Sequence, residues 1–281
     1  MNIVTMKVLL ERAEKNGIAI PAINVSNMET IKAVCESTEK YKTGIIMQIS
    51  PIQFEMQKIN YYEFVEMVKL LCKNFDIDIA IHLDHATEVK QCCDAIDAGF
   101  TSVMYDGSAQ SYETNIENSR RVVLYAKDKG VTVEAELGKV GGTEGEASDN
   151  NDDVLTDPNL AKEFVNRTGV DCLAVAIGNA HGFYKKEPKL DFDRLDKIYE
   201  ETKIPLVLHG GTGITDEALK IAIKKGIKKI NFFTEIDREF VLGFIKAHEE
   251  NPSIYMMKAQ EDARQMMMKK IDEKMKVCVF N

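Results

Sequence analysis

Five histidines occur in this 281-residue chain: His82, His85, His181, His209 and His248. Three of them fall where a metal could collect them. His85 ends the apolar, β-branched run 79–85, His209 ends 205–209, and His181 lies just past 172–177. Runs of that kind bounded by polar and glycine residues read as strands. If the strands are parallel, their C-terminal ends open on one mouth. Three imidazoles meeting there, with one position left open, are the ligand set of a catalytic zinc site. A single histidine at a strand end is more often a hydrogen-bonded core residue; three on separate strands shift the reading to a metal. His82 reads as a structural or supporting residue and His248 as surface.

Other polar residues obey the same rule of position. Asn24 and Ser50 end the first two strands, Asp84 precedes His85, and Asp106-Gly107-Ser108 follow the fourth strand. Glu134 and Glu136 share one face of the fifth. Polar groups at one end of apolar strands are costly unless they line a wet cavity. Ser108 and Thr87 read equally well as helix N-caps. The segments His209-Gly210-Gly211-Thr212-Gly213 and Asn231-Phe232-Phe233-Thr234-Glu235 follow the seventh and eighth strands. There, glycines and a following helix N-terminus present backbone N–H groups to a phosphate. A Gly-Gly-x-Gly stretch by itself is usually only a turn; its place after a histidine-ended strand gives it meaning.

The elements that must position these residues alternate from end to end. Strands are expected at 18–24, 44–50, 79–85, 102–106, 131–137, 172–177, 205–209 and 229–233. Amphipathic helices are expected at 28–41, 61–74, 89–98, 112–129, 159–168, 192–202 and 216–225. Eight βα units imply an α/β protein folded as a single (β/α)₈ barrel spanning 1–281; an open doubly wound sheet is the rival. The irregular segment 138–157 reads as a mobile lid or as a solvated acidic insertion. The stretch 250–281, with helical periodicity over 256–276, reads as an additional C-terminal helical extension against the barrel or a partner subunit.

Composition narrows the partners. Hydrophobic residues make up 44% and charged residues 29%, as in ordinary globular proteins. A net charge of −9 argues against nucleic acid and anionic membranes, so an anionic substrate must be held by local donors. The six cysteines form no C-x-x-C pair and sit mostly in apolar stretches, as reduced core thiols do. No leader pattern opens the chain and no apolar run reaches membrane-spanning length, so a cytoplasmic protein is expected.

From about residue 21 to 235 the chain resembles the class II, metal-dependent ketose-bisphosphate aldolases, which act on fructose and tagatose bisphosphates. The motifs carrying the resemblance are Pro21-Ala22-Ile23-Asn24, His82-Leu83-Asp84-His85, 102–108, 133–138, 174–182, His209-Gly210-Gly211-Thr212-Gly213 and Lys229-Ile230-Asn231. The resemblance implies one zinc per chain on His85, His181 and His209, with Glu136 close by as an alternative ligand and a monovalent cation as a candidate companion. It implies Asp84 as the acid–base residue at the C4 hydroxyl and Glu144 as a lid-borne base acting on dihydroxyacetone phosphate. Gly182, Lys185, Gly210, Gly211, Thr212, Asn231, Phe232, Phe233 and Thr234 would surround the 1-phosphate, with Asn24 and Ser50 beside the substrate. The expected reaction is reversible aldol cleavage of fructose 1,6-bisphosphate to dihydroxyacetone phosphate and glyceraldehyde 3-phosphate by a homodimer or homotetramer. Tagatose bisphosphate or another phosphoketose is the alternative substrate. A zinc hydrolase and a non-catalytic phosphosugar-binding protein are the readings from other classes. The chain departs from the family pattern at Ala86, Glu144-Gly145, Phe233 and after Pro252, which bears on the distal half of the substrate. Lys258 and Arg264 are the candidate cations for a distal phosphate, reaching it from a neighbouring subunit.

Overall fold

The computed structural model describes residues 1–142, the backbone of 147–148, and residues 155–186 and 188–280. Eight parallel strands form its centre: β1 (Ile20–Asn24), β2 (Ile45–Ile49), β3 (Asp78–Ala86), β4 (Ser102–Tyr105), β5 (Thr132–Leu137), β6 (Cys172–Val175), β7 (Leu206–Leu208) and β8 (Ile227–Phe232). Each pairs with the next, and β8 pairs with β1 through Lys229 to Ile20 and Phe232 to Ile23. The ring is therefore closed, and the open-sheet rival is excluded. Strands covered on both faces are buried along their whole length, as β1, β2 and β4 are.

Alternation along each strand sorts side chains between the barrel lumen and the helix layer. At the lower end the lumen is apolar, with Ile20, Ala22, Ile46, Ala80, Cys172 and Val207 in one cluster. Two residues further along, the same phase brings polar side chains: Asn24 after Ala22, Gln48 after Ile46, His82 and Asp84 after Ala80, and His209 after Val207. Period-2 geometry thus stacks a polar layer on an apolar floor.

That floor is closed by a helix the periodicity reading omitted, Met6–Asn16, whose Met6, Leu9, Leu10 and Ala13 are buried against it. Thr5 caps it by accepting from the Val8 N–H, and Gly17 ends it in the left-handed conformation. Two more helices lie outside the ranges read from periodicity. Pro51–Gln57 follows β2 and Thr234–Glu250 follows β8. The C-terminal helix Met256–Val279 runs antiparallel to Thr234–Glu250, with Gly243 tight against Ala263 and Lys274 paired with Glu235 at 2.8 Å. It also fastens onto the helix Met28–Thr38 and the residues after it: Tyr41 donates to Asp272 at 2.6 Å. Among the described residues, no helix is long and apolar enough to cross a membrane.

Candidate active site

The polar layer opens at the C-terminal ends of the strands into a cavity of about 1200 Å³. Its wall includes Asn24, Ser50, Asp84, His85, Glu136, His181, Phe233 and Thr234. Asp84 and His85 are sequence neighbours and in a regular strand would face opposite ways. Here the pairing between β3 and β4 slips between Leu83 and Ala86, and His85 adopts φ +50°. A non-glycine residue in the left-handed region stores strain, which the surrounding structure must hold. The distortion lets both side chains reach the mouth.

The rings of His85, His181 and His209 lie with centroids 4.6 to 5.8 Å apart, and one nitrogen from each falls within 4.8 Å of the others. The hydrogen bonds decide which nitrogens those are. His85 Nδ1 is 2.9 Å from Asp106 Oδ2, and His209 Nε2 is 2.9 Å from Glu134 Oε1. His85 Nε2, His181 Nε2, His209 Nδ1 and Glu136 Oε2 are left buried with no hydrogen-bond partner. Glu136 Oε2 stands 3.0 Å from His209 Nδ1. Buried polar atoms are almost always satisfied, so three imidazole nitrogens left open within 4.8 Å of one another call for a ligand. A divalent cation accepting three imidazole lone pairs satisfies them, and the N-rich donor set suits zinc. The carboxylates on the far nitrogens of His85 and His209 are the supports such ligands use to fix tautomer and orientation.

Below His209 the lumen holds a buried ionic network. Glu134 is also 2.8 Å from Lys229 Nζ, whose side chain is fully buried, and Lys229 lies 3.5 Å from His82 Nε2. His82 Nδ1 is 2.9 Å from the Ser102 hydroxyl. Burial, reinforced by Lys229, pushes His82 down to about 3, so it is neutral. Burial opposes the charge on Glu134, but Lys229 and His209 hold its carboxyl well below the usual range. His82 is thus a neutral member of the supporting layer.

Asp84 is held from two sides. Gln48 Nε2 donates to its Oδ2 at 3.0 Å and to Asn24 Oδ1 at 2.9 Å, while Asn231 Nδ2 donates to Asp84 Oδ1 at 3.2 Å. Burial works against ionisation, yet His85, Lys229 and His209 keep the Asp84 carboxyl below its ordinary value. The group is a positioned, ionised carboxylate. Gln48 escaped the sequence reading although it is the one polar residue in Ile45-Ile46-Met47-Gln48-Ile49, and that interruption was the available signal.

The loops after β6 and β7 are braced together. Tyr184 accepts from the Ala180 N–H at 2.7 Å and donates to Gly210 O at 3.1 Å, and Asn179 donates to His209 O at 3.0 Å. Gly210 sits at φ +62°, where a Cβ would lie 1.9 Å from Ala180 O. Gly211, Thr212, Asn231 and Thr234 are buried beside it. Gly182, at φ +80°, follows His181, while Lys185 is exposed beyond it. Phe232 has a fully buried side chain, which makes it core; only its backbone could face a ligand. Phe233 is the N-cap of Thr234–Glu250 and supplies no side-chain cap. Glu144 and most of the expected lid lie outside the described residues; at the base of that segment, Gly141 O accepts from the His181 N–H at 2.8 Å. Neither expected distal cation lies on this chain's own mouth. Lys258 is paired with Asp262, and Arg264 with Glu36 and Glu261, on the outer face of the helices Met28–Thr38 and Met256–Val279.

Three imidazoles with unfilled nitrogens and an ionised carboxylate at the mouth of a (β/α)₈ barrel define an enzyme built for metal-assisted chemistry on a small polar substrate. The family model described as fructose-bisphosphate aldolase class-II matches residues 4–280. The chain belongs to that family and is an aldolase, a carbon–carbon lyase. It is 41% identical to a fructose-bisphosphate aldolase of Geobacillus stearothermophilus, over 91% of this chain and 89% of that one. It is 37% identical to a sulfofructosephosphate aldolase of Alkalicoccus urumqiensis, over 99% and 96% of the two chains. The crystal structure of the YdjI aldolase of Escherichia coli K12 superposes with a TM-score of 0.86 at 31% identity, over 98% of this chain and 97% of that one.

Proposed function

We infer that the protein cleaves fructose 1,6-bisphosphate reversibly to dihydroxyacetone phosphate and glyceraldehyde 3-phosphate, with zinc held by His85 Nε2, His181 Nε2 and His209 Nδ1. The observation that carries this reading is the set of orphaned imidazole nitrogens beside an ionised Asp84. Zinc supplies positive charge against the negative charge that builds on the ketose carbonyl oxygen, a contribution of several kcal/mol. Asp84 accepts the C4 hydroxyl proton as the C3–C4 bond breaks, and returns it in synthesis. The amides of Gln48 and Asn231 hold it there; Gln48 Oε1 and Asn231 Oδ1, buried without partners, are acceptors for substrate hydroxyls. Glu144, from the lid segment, moves the proton at the dihydroxyacetone phosphate carbon. The 1-phosphate lies against Gly182, Lys185, the loop Gly210-Gly211-Thr212, and the segment Asn231–Thr234 at the start of the last barrel helix, where backbone N–H groups attract anions. Glu136, beside His209, would be an alternative ligand for the metal.

A second reading is favoured by the relative named sulfofructosephosphate aldolase, which matches nearly the whole chain: the group at C6 would then be a sulfonate. Measuring dihydroxyacetone phosphate released from a panel of ketose phosphates, with and without chelator, separates these. Release from fructose 1,6-bisphosphate that disappears with chelator supports the first reading; full activity after metal removal refutes both.

A further inference from the structure

We propose that Arg238 is the residue by which this chain recognises a tetrahedral oxyanion at C6 of a ketose 1-phosphate, from the same subunit that carries the metal site. This rests on the ketose 1-phosphate reading above and extends it to the far end of the substrate. Thr234 begins the helix Thr234–Glu250 beside the expected 1-phosphate, and Arg238 lies four residues, about one turn, further out on the same face. Arg238, Asp237 and Val241 line the cavity from this side, and Ile52 and Met56 line it from the helix Pro51–Gln57.

The cations on the wall are Lys139 and Arg238. Elsewhere in the molecule Arg12, Arg167, Arg194 and Arg264 are each paired with a carboxylate. Arg238, like Arg120 and Arg121 away from the cavity, has no carboxylate partner among the described residues; its guanidinium rests over the Phe183 ring, 5.0 Å from the centroid. Phe183 is two residues past the metal-site His181, so the stacking ties the guanidinium to the rim of the catalytic centre. A planar cation stacked on a ring retains its in-plane N–H donors, the fork that matches two oxygens of a phosphate or sulfonate. Phosphate and sulfonate share this chemistry, and the wall by itself does not separate them.

The test compares zinc-loaded wild type with Arg238→Met, which keeps the stem over Phe183, and with Arg238→Lys, which keeps the charge and loses the fork. The substrates are fructose 1,6-bisphosphate, the corresponding ketose 1-phosphate with a C6 sulfonate, and fructose 1-phosphate. In Arg238→Met the ratio of kcat/KM for a C6-anionic substrate to that for fructose 1-phosphate is expected to fall about 10- to 100-fold, through KM, with Arg238→Lys between. A fall confined to the sulfonate or to the phosphate supports the assignment and names the group. Calorimetric titration of the three ligands into the Asp84→Asn background reads the same discrimination without turnover. If no ketose is cleaved but the binding split follows Arg238, the functional reading fails and the anion site stands. Equal losses for all three ligands, or an unchanged ratio, overturn the proposal.

Discussion

His85 and His209 each have one nitrogen held by a carboxylate and the other left open at the mouth, which makes single substitutions informative. His209→Ala removes one ligand atom, yet Glu134 keeps its partner Lys229, so the barrel should persist while bound zinc falls from about one per chain to near zero. Atomic emission and far-ultraviolet dichroism read the two effects, and a variant that keeps its zinc would contradict the ligand assignment. Asp84→Ala should do the reverse: zinc is retained and cleavage is lost, since this carboxylate meets Gln48 and Asn231 and its proposed task is a proton. Glu144→Ala should slow exchange of the dihydroxyacetone phosphate proton by about 10²–10⁴-fold, the range for a general base. Exchange at the wild-type rate would remove Glu144 from the mechanism.

Elements act by forcing these residues together. The slip in β3 at Asp84–His85 and the brace between the loops after β6 and β7 are the two devices that aim the ligands. Gly210→Ala tests the brace. Its Cβ would strike Ala180 O at a backbone angle that alanine resists, so the loops carrying His181 and His209 must part. The expected result is weaker zinc retention in a chelator competition, together with a loss of stability of at least about 1 kcal/mol. Retention and stability equal to wild type would mean that the loops do not depend on this contact. Deeper in the barrel, Lys229→Met should leave the buried Glu134 carboxylate without its cation, with the His209 imidazole as its remaining partner. Breaking such a pair from one side costs about 3–5 kcal/mol, readable as a lower urea midpoint.

For the molecule as a whole, a bound metal would couple chemistry to stability. Zinc would bind the assembled site and not the unfolded chain, so chelation should lower the melting temperature. A ligand at a thousandfold excess over its Kd contributes about 4 kcal/mol. An identical melting curve with and without chelator would show that the three open imidazole nitrogens are satisfied some other way. The two C-terminal helices, with the cap residue Tyr255 between them, leave Val241, Ile245, Tyr255, Met256 and Met257 exposed, an apolar surface that a second copy of the chain would cover in the expected homodimer or homotetramer. Sedimentation should therefore give more than one chain per particle; a monomer at working concentration would argue against that assembly.

Much of this was already determined by the chain read as a string. Eight strands and most of their bounds followed from local composition. His85, His181 and His209 stood out because a residue's place at a strand's C-terminal end is a local property, and the barrel carries such ends to one mouth. The closed ring, the helix Met6–Asn16 under it and the supports of the site were decided only in three dimensions. Glu134 meets His209 across 75 residues, and Lys229 reaches His82 across 147; these pairings depend on the register with which the barrel closes. Local pattern likewise pointed to Arg264 and Lys258 as distal cations, because charge is visible in sequence and its partners are not. Packing sets Arg264 against Glu36 and Glu261 and leaves Arg238 over Phe183 at the mouth, since which cation keeps its donors for a ligand depends on which carboxylates the fold brings beside it.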